Sequence, residues 1–276
     1  AATPAAFPAV GDFVLLDRSD NTTGQAVIQQ VLTRTSVFVR KAAGTASTEQ
    51  VVASNIDTVF ICMSLNSDFN LRRLERYLAI AWSSGALPVV VLTKADLCAD
   101  VAAKVSEAES VAIGTEILVT SSLAEDGHDQ ILPYLHCGST AAFIGSSGVG
   151  KSTLINRLAG TAFATSGLRN DDKGRHTTTR RELIVLANGG VVIDTPGMRE
   201  LGLETADLAK GFADIDELAQ QCRFRDCTHT HETGCAVQQA IQNGSLAADR
   251  LASYQKLQKE LSYAGLDARQ LEMTKL

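Results

Sequence analysis

The chain has 276 residues, of which 45% are hydrophobic and 20% are charged, and its formal net charge at pH 7 is −6. This composition is typical of a folded protein with a buried core, and at about 150 residues per domain the length predicts roughly two domains. The negative charge argues against a uniformly basic surface that binds nucleic acid. No apolar run approaches the ~20 residues of a membrane span, so we expect no contact with a membrane.

The first segment, residues 1–55, contains short β-type runs at 13–16, 26–31 and 37–40. Clusters of Gly, Asp, Asn and Thr separate these runs. Short strands punctuated by turn residues are typical of a small all-β barrel or sandwich. The acidic and basic residues of the segment balance, so its charge does not indicate a ligand.

Strands and helices alternate along the second segment, residues 56–211. Strands are predicted near 58–64, 88–92, 116–119, 141–144, 183–186 and 191–193, and helices near 70–81, 101–110 and 151–158. This alternation predicts an α/β domain with a mostly parallel sheet that helices cover on both faces. The third segment, residues 212–276, is predicted to be helical around a cluster of Cys and His residues.

The strongest chemical signal is the octapeptide GSSGVGKS at residues 145–152, between a predicted strand and a predicted helix. It matches the phosphate-binding pattern G-x-x-x-x-G-K-[ST], whose glycines let backbone N–H groups surround phosphate oxygens at a positive helix end. Lys151 is expected to neutralise the β- and γ-phosphates, and Ser152 is expected to bind Mg²⁺. The residues predicted to contact nucleotide here are Gly145, Ser146, Ser147, Gly148, Val149, Gly150, Lys151, Ser152 and Thr153.

The tetrapeptide Thr-Lys-Ala-Asp at residues 93–96 favours GTP over ATP. The carboxylate of Asp96 can accept from both N1–H and N2–H₂ of guanine, whereas adenine has no matching pair of donors. Lys94 is expected to lie along the plane of the base. Thr93 stands where the usual Asn-Lys-x-Asp motif has Asn, and its hydroxyl is expected to replace part of the tethering that Asn supplies.

Two short motifs complete the predicted nucleotide site. Ser121 and Ser122 follow the next strand, where GTPases keep a loop that contacts the base. Asp194 and Gly197 fit the pattern D-x-x-G. Asp194 is expected to hold Mg²⁺ through a water molecule, and the Gly197 N–H is expected to sense the γ-phosphate.

The polar segment GRHTTT at residues 174–179 is predicted to be a switch that becomes ordered when GTP is bound. One threonine should complete the Mg²⁺ shell, and we favour Thr178, with Thr177 next. Met198 stands directly after D-x-x-G, where many GTPases have a Gln that orients the attacking water. Another group must therefore act. We expect His176 to position the water, the alternatives being an exposed loop residue or a contact with a partner.

The order of these motifs along the chain is unusual. The base motif at 93–96 and the serine loop precede the phosphate loop at 145–152, whereas in most GTPases they follow it. This order is a circular permutation of one ring of elements, which leaves the sheet intact because domain termini often lie close together at the surface. The switch region then leads directly into the C-terminal segment.

Four metal-ligating side chains lie close together in the third segment: Cys222, Cys227, His229 and Cys235. Three thiolates and one imidazole suit a closed tetrahedral zinc site with a structural role. His231 is the rival fourth ligand. A small helical segment has little core of its own, so the metal is expected to supply much of its folding free energy. A local metal cluster, unlike a secreted disulfide framework, favours a cytoplasmic protein.

Together these motifs resemble the circularly permuted GTPases of the ribosome small-subunit-dependent GTPase A family (RsgA, also called YjeQ). The resemblance rests on TKAD, GSSGVGKS, GRHTTT, DTPG and CRFRDCTHTHETGC, which with the leading β segment span nearly the whole chain. It implies an OB-fold over 1–55 whose first strand is short or missing, a permuted GTPase domain over 56–211 and a helical zinc-binding domain over 212–276. The family pattern matches His229 as the fourth zinc ligand.

The same resemblance implies a function. The protein is expected to bind GTP or GDP with Mg²⁺ and one structural Zn²⁺, and to act as a cytoplasmic monomer. It is expected to bind the 30S ribosomal subunit and its 16S rRNA, to assist late maturation, and to leave after ribosome-stimulated GTP hydrolysis. Small basic clusters at 169–181 and 72–76 are compatible with RNA contact, although a solvated charged surface is the default interpretation of each.

Two other functions fit parts of the sequence. A nucleotide-gated RNA-binding scaffold with little hydrolysis would share the same domains, but the intact Lys151, Ser152 and Asp194 argue against a degenerate site. A P-loop kinase or ATPase would share the phosphate loop, but Asp96 in the base motif argues against adenine.

Overall fold

The computed structural model describes residues 7–18, 25–41, 49–121, 124, 127–160, 182–194 and 208–263. The strands in these ranges are β1 Val14–Leu16, β2 Ile28–Val31, β3 Val37–Lys41, β4 Glu49–Ser54, β5 Thr58–Ser64, β6 Leu87–Thr93, β7 Glu116–Val119, β8 Thr140–Ile144, β9 Glu182–Val185 and β10 Val191–Asp194. The α-helices are α1 Leu71–Ser84, α2 Val101–Glu109, α3 Lys151–Ala159, α4 Leu208–Gly211, α5 Ala213–Ala219, α6 Ala236–Gln242 and α7 Ala248–Tyr263.

Six of these strands form one sheet in the order β7-β6-β5-β8-β10-β9. The first five are parallel to their neighbours, and β9 pairs antiparallel with β10 at the edge. Every residue of the central strand β5 is buried, as expected for a strand that is covered on both faces. The predicted mostly parallel sheet is therefore confirmed.

Helix α1 shows how local sequence sets the ends of an element. The side chain of Asn70 accepts a hydrogen bond from the backbone N–H of Arg73 and so caps the first turn. Gly85 ends the helix with φ at +88°, and its N–H donates to the carbonyl of Trp82. The helix predicted over 70–81 stops three residues before the observed end at Ser84, because the hydrophobic pattern weakens before the chain reaches Gly85.

Helices cover both faces of the sheet, as predicted. On one face, alternate β5 residues such as Ile61 and Met63 pack against Leu74 and Leu78 of α1. The same core cluster continues into Phe38, Val52 and Ala53 of β3 and β4 and into Phe212, Ile215, Val237 and Leu251 of the C-terminal helices. On the other face, Phe60, Cys62 and Phe143 pack with Leu154 and Ile155 of α3.

The N-terminal strands pair as β1 with β2 and as β3 with β4, both antiparallel. Strand β4 was not predicted, because Val51, Val52 and Ala53 are buried consecutively and lack the alternation that marks a half-exposed strand. Within the ranges given above, the two pairs belong to separate two-stranded sheets, so the closed barrel expected for an OB-fold is not observed there.

A buried network of charges joins α1 to the C-terminal helices. Glu75 of α1 accepts hydrogen bonds from Arg250 at 3.1 Å and from Ser253 at 2.5 Å. Arg250 also makes a two-pronged ion pair with Asp214 of α5, at 2.6 and 2.7 Å. Glu75 and Arg250 are only 1% and 3% exposed, so both charges need partners, and Arg72 also pairs with Glu75 from the half-exposed side of α1.

We expect Arg250→Met to lower the free energy of unfolding by about 3 kcal/mol or more, because it leaves two carboxylates without their buried partner. Thermal and urea denaturation would measure the loss. The matched control is Lys104→Met, which removes the half-exposed Lys104–Glu107 pair and should cost about 0.5 kcal/mol. Equal stability of the two variants would contradict the importance assigned to the buried network.

Among the residues that the structure describes, no helix has the length and apolar character that crossing a membrane requires.

Candidate nucleotide and metal sites

The predicted phosphate loop connects β8 to α3 at the carboxyl-terminal edge of the sheet. Gly145, Gly148 and Gly150 have φ values of +146°, +79° and +104°. Residues with a Cβ rarely adopt such backbone angles. A Cβ on Gly145 would also lie 2.4 Å from the carbonyl oxygen of Cys62 on β5. The glycines therefore let the loop both turn and pack closely against the neighbouring strand.

Lys151 lies at the first position of α3 and is buried. Its Nζ donates to the carbonyl oxygens of Gly145 and Ser146, both at 2.7 Å, which holds the ammonium against the start of the loop. Ser152 and Thr153, the next two residues, are exposed. A cation and an open hydroxyl at a helix N-terminus suit a phosphate with its Mg²⁺ ion.

The thiol of Cys62 lies beneath this loop and takes no part in the proposed chemistry. Burial raises its pKa to about 12, although the nearby charge of Lys151 lowers it somewhat. The thiol therefore stays protonated and acts as a small apolar group in the core.

Thr93 ties the base motif to the phosphate loop. Its Oγ1 donates to the carbonyl oxygen of Val149 at 2.6 Å, across the end of β5. Thr93 is buried, so this bond is shielded from water. The bond links the two motifs, and the part that the hydroxyl plays in place of the usual Asn stays a prediction.

The remaining base-site residues cluster at the ends of β6 and β7. Lys94 adopts a left-handed conformation with φ at +58°. Asp96 is exposed and accepts a hydrogen bond from Ser121 Oγ at 2.5 Å, so the structure brings the base motif and the serine loop together. Their position at the carboxyl ends of parallel strands is where α/β sheets bind ligands.

Asp194 is the last residue of β10, the strand beside β8. It therefore lies at the same sheet edge as the phosphate loop. Six residues named in the sequence analysis lie outside the described residues, and their roles stay predictions: Ser122, His176, Thr177, Thr178, Gly197 and Met198.

Two residues that the sequence analysis did not assign to the site contact the phosphate loop. Asp68 and Arg73 both hydrogen-bond to the hydroxyl of Ser146. The hydrogen bond from Ser146, followed in size by the one from Arg73, holds the pKa of Asp68 below its usual value. The charges of Arg73 and Lys94 add to the effect. Asp68 follows a buried strand that ends beside the loop, which is the signal that could have identified it.

The basic cluster at 72–76 is compensated by carboxylates. Arg72 pairs with Glu75, Arg73 with Asp68, and Arg76 with Glu260. These pairs weaken the interpretation of the cluster as an RNA-binding surface, because each guanidinium already has an anionic partner.

Four side chains form a cluster of the kind that binds metal: Cys222, Cys227, His229 and Cys235. Their ligand atoms all lie within 4.8 Å of one another. The sulfurs of Cys222 and Cys235 are 3.8 Å apart, close to the ~3.8 Å edge of a tetrahedron with Zn–S bonds of ~2.3 Å. His229 Nδ1 lies 3.6 and 3.4 Å from these two sulfurs. The donor set fits a structural metal ion, and the exposed His231 is not part of it.

The loop around this cluster is fixed by hydrogen bonds. Glu232 accepts from the backbone N–H groups of Thr228, Thr230 and His231 at 2.8, 2.9 and 3.1 Å. Cys235 caps α6, with its sulfur accepting from the N–H of Gln238. This scaffold directs His229 inward and leaves its neighbour His231 at the surface.

Backbone N–H groups also tune one of the thiols. Burial acts to raise the pKa of Cys222, but hydrogen bonds from the N–H groups of Val237 and Ala236 lower it overall. A lowered pKa favours the thiolate, the form that binds metal.

Comparison with known proteins identifies close relatives. The sequence profile of the RsgA GTPase family matches residues 31–204, which is more than half of the chain. The small ribosomal subunit biogenesis GTPase RsgA 2 of Lactiplantibacillus plantarum is 57% identical over 278 residues, an alignment that covers 100% of this chain and 78% of the relative. The small ribosomal subunit biogenesis GTPase RsgA of Methanosarcina acetivorans is 49% identical and is covered over 70% of its length.

Solved structures agree with these relatives. The crystal structure of YjeQ from Thermotoga maritima superposes with a TM-score of 0.68 at 30% identity, over 92% of this chain and 84% of that one. The structure of YloQ, described as a circularly permuted GTPase, superposes with a TM-score of 0.65 at 28% identity, over 93% of this chain and 81% of that one. The permuted order of motifs that the sequence indicated is therefore confirmed.

Proposed function

The chain belongs to the RsgA GTPase family and is a GTP hydrolase of ribosome biogenesis, and from that premise we propose that it binds the 30S subunit and its 16S rRNA. It assists late maturation there and is released after ribosome-stimulated hydrolysis. A soluble cytoplasmic monomer suits a protein that must reach and leave a ribosomal subunit. The scaffold with little hydrolysis is not favoured, because the relatives are named as GTPases.

One observation supports the nucleotide site most directly. The bond from Thr93 to Val149 joins the base motif to the phosphate loop, although 56 positions separate the two residues along the chain. The guanine-recognising and phosphate-binding groups therefore share one sheet edge, where a single nucleotide can span them.

We infer the roles of the site residues from the sequence motifs, and the arrangement of the described ones supports them. Lys151 neutralises the β- and γ-phosphates, while Ser152 and the switch residue Thr178 bind Mg²⁺. Asp194 holds the same ion through water, and Gly197 senses the γ-phosphate. Residues 145–153 surround the phosphates. The base is surrounded by Thr93, Lys94, Asp96, Ser121 and Ser122.

Hydrolysis requires a group that positions the attacking water. Met198 has no polar group for this task, so His176 of the switch segment takes it. Lys151 and the loop N–H groups stabilise charge that develops on the phosphate oxygens, and a Mg²⁺ ion held by Ser152 and Thr178 would neutralise part of the same charge.

Asp96→Asn is expected to weaken GTP binding by about 2 kcal/mol or more, because the amide cannot accept two donors as the carboxylate does. Xanthosine triphosphate, which has a carbonyl in place of the N2 amine, should regain part of that affinity. Titration with both nucleotides and with ATP would measure the effect and test the preference for guanine.

Asp100→Asn provides a matched control, since Asp100 only caps α2 and Asn caps a helix equally well. It should bind GTP like the unaltered protein. Unchanged GTP affinity in the Asp96 variant would remove this residue from the base site.

The remaining segments complete the proposal. The N-terminal strands belong to an OB-fold over residues 1–55, which precedes the GTPase domain of 56–211. Residues 212–276 form a zinc-binding domain in which Cys222, Cys227, His229 and Cys235 bind one structural Zn²⁺. The measured distances among these ligands support zinc, which prefers closed tetrahedral sites of Cys and His.

A further inference from the structure

The phosphate loop is held from outside by a closed ring of hydrogen bonds. Asp68 accepts from Ser146 Oγ at 2.6 Å, and Arg73 Nη1 donates to the same oxygen at 2.9 Å. Arg73 Nη1 also donates to Asp68 Oδ2 at 2.8 Å, which closes the ring. Each bond involves an ionised group, so the ring is stronger than three bonds between neutral groups.

The backbone beside the ring fixes its two charged members in advance. In the loop between β5 and α1, Asn66 Oδ1 accepts from Ser64 Oγ at 2.8 Å and from the Asp68 N–H at 3.0 Å. Asn70 accepts from the backbone N–H of Arg73 and caps α1. The carboxylate and the guanidinium are therefore positioned by their own segment, and little further ordering is needed to hold the loop.

The ring also acts on the loop's lysine. The carbonyl oxygen of Ser146 accepts from Lys151 Nζ at 2.7 Å, while the hydroxyl of the same serine belongs to the ring. A shift of Ser146 would move both the loop backbone and the ammonium of Lys151, which bonds to it. Ser146 thus links Asp68 and Arg73 to the phosphate-binding groups.

We propose that Asp68 and Arg73 are positioning residues that hold Ser146, and through it the phosphate loop and Lys151, in the form that binds guanine nucleotides. This inference rests on the proposed function, because it requires the loop to bind GTP and GDP. Since the ring contacts the loop and not the reacting atoms, it stabilises both nucleotide complexes alike. It should therefore affect KM and leave kcat unchanged.

The test compares Asp68→Asn, Ser146→Ala and the double variant by titration with fluorescent GDP and a non-hydrolysable GTP analogue. Each single variant is expected to bind both nucleotides about tenfold more weakly, since a charge-assisted bond is lost. The double variant should be no weaker than the singles, because both changes break the same ring. At saturating GTP, kcat of the Asp68→Asn variant should equal that of the unaltered protein.

Two controls separate positioning from folding. Ser146→Thr retains the hydroxyl and should keep most of the affinity, and Ser67→Ala changes an exposed neighbour of Asp68 and should keep all of it. The thermal midpoints of the nucleotide-free variants should match that of the unaltered protein. A ring that served only stability would lower those midpoints and leave affinity unchanged.

Unaltered affinity in both single variants would overturn the inference, as would losses that add in the double variant. In either case the unaltered protein would still bind guanine nucleotides, and the proposed function would stand. Failure of the unaltered protein to bind GTP or GDP would instead overturn the proposed function and this inference with it.

Discussion

Isolated protein is expected to hydrolyse GTP slowly, and purified 30S subunits are expected to accelerate turnover by about 100-fold or more, as partners do when they complete a phosphoryl-transfer site. The reason lies in the sequence after D-x-x-G, where Met198 replaces the usual Gln. Without that group the attacking water is poorly oriented until another residue reaches it. Turnover measured with and without subunits is the direct test.

The switch segment is expected to supply both the contact with the partner and the group that orients the attacking water. Residues 169–181 contain five basic residues and two acidic ones, a net charge of +3 on an otherwise acidic protein (Arg169, Lys173, Arg175, Arg180 and Arg181 against Asp171 and Asp172). Contact with rRNA phosphates would order the segment and bring His176 and Thr178 toward the γ-phosphate. Salt should therefore weaken the stimulation more than it weakens GTP binding, since phosphate contacts release counterions.

His176→Ala should retain GTP binding and lose about 100-fold in stimulated turnover. The matched control is His136→Ala, which changes an exposed histidine between α2 and α3 and should be stimulated normally. Full stimulation of the His176 variant would reject this residue as the one that positions water, while the GTPase assignment would stand. Absence of any stimulation of the unaltered protein would count against the ribosomal partner itself.

Removal of zinc is expected to unfold the C-terminal domain while nucleotide binding survives. Purified protein should contain about one zinc per chain, by the count of four ligands. Cys227→Ala should lose the metal, because three ligands bind zinc far more weakly than a closed set of four. Because α5 and α6 are short, metal binding is expected to supply much of the free energy that orders them, beside the core contacts of Ile215 and Val237.

Three variants make this test specific. His229→Ala should lose zinc, whereas His231→Ala should retain it, because only His229 directs a nitrogen toward the cysteines. Cys137→Ala, at an exposed cysteine outside the cluster, should also retain zinc. Metal analysis, circular dichroism and GTP titration would record the three properties separately. Protein prepared without chelators that contains no zinc would contradict the assignment.

Local signals determined much of the fold and of the site. The phosphate loop and the Cys/His cluster depend on residues at fixed short spacings, so the sequence alone indicates them. The same is true of β5, whose continuous apolar run predicts a strand buried on both faces. The end of α1 could also have been predicted from the sequence, because a glycine such as Gly85 is typical of the residue that follows a helix.

Contacts between distant segments could be decided only by the tertiary structure. Ser146 and Asp68 are 78 positions apart, and Glu75 and Arg250 are 175 positions apart. Nothing in the local pattern of either residue indicates its partner, since periodicity reports only which face of an element is buried. The arginines at 72–76 show the consequence, because an apparent basic cluster becomes a set of ion pairs once carboxylates from the same helix, a loop and α7 meet it.

The sequence by itself therefore determined which chemistry this protein carries: a guanine base motif, a phosphate loop and a metal cluster, each encoded by residues close together in the chain. The tertiary structure decided how the base motif and the phosphate loop come together at one sheet edge. Parallel strands bring their carboxyl ends to a single edge, and there Thr93 meets Val149 and Asp68 meets Ser146. The physical reason is that side-chain hydrogen bonds act over about 3 Å in space, whatever the separation along the chain.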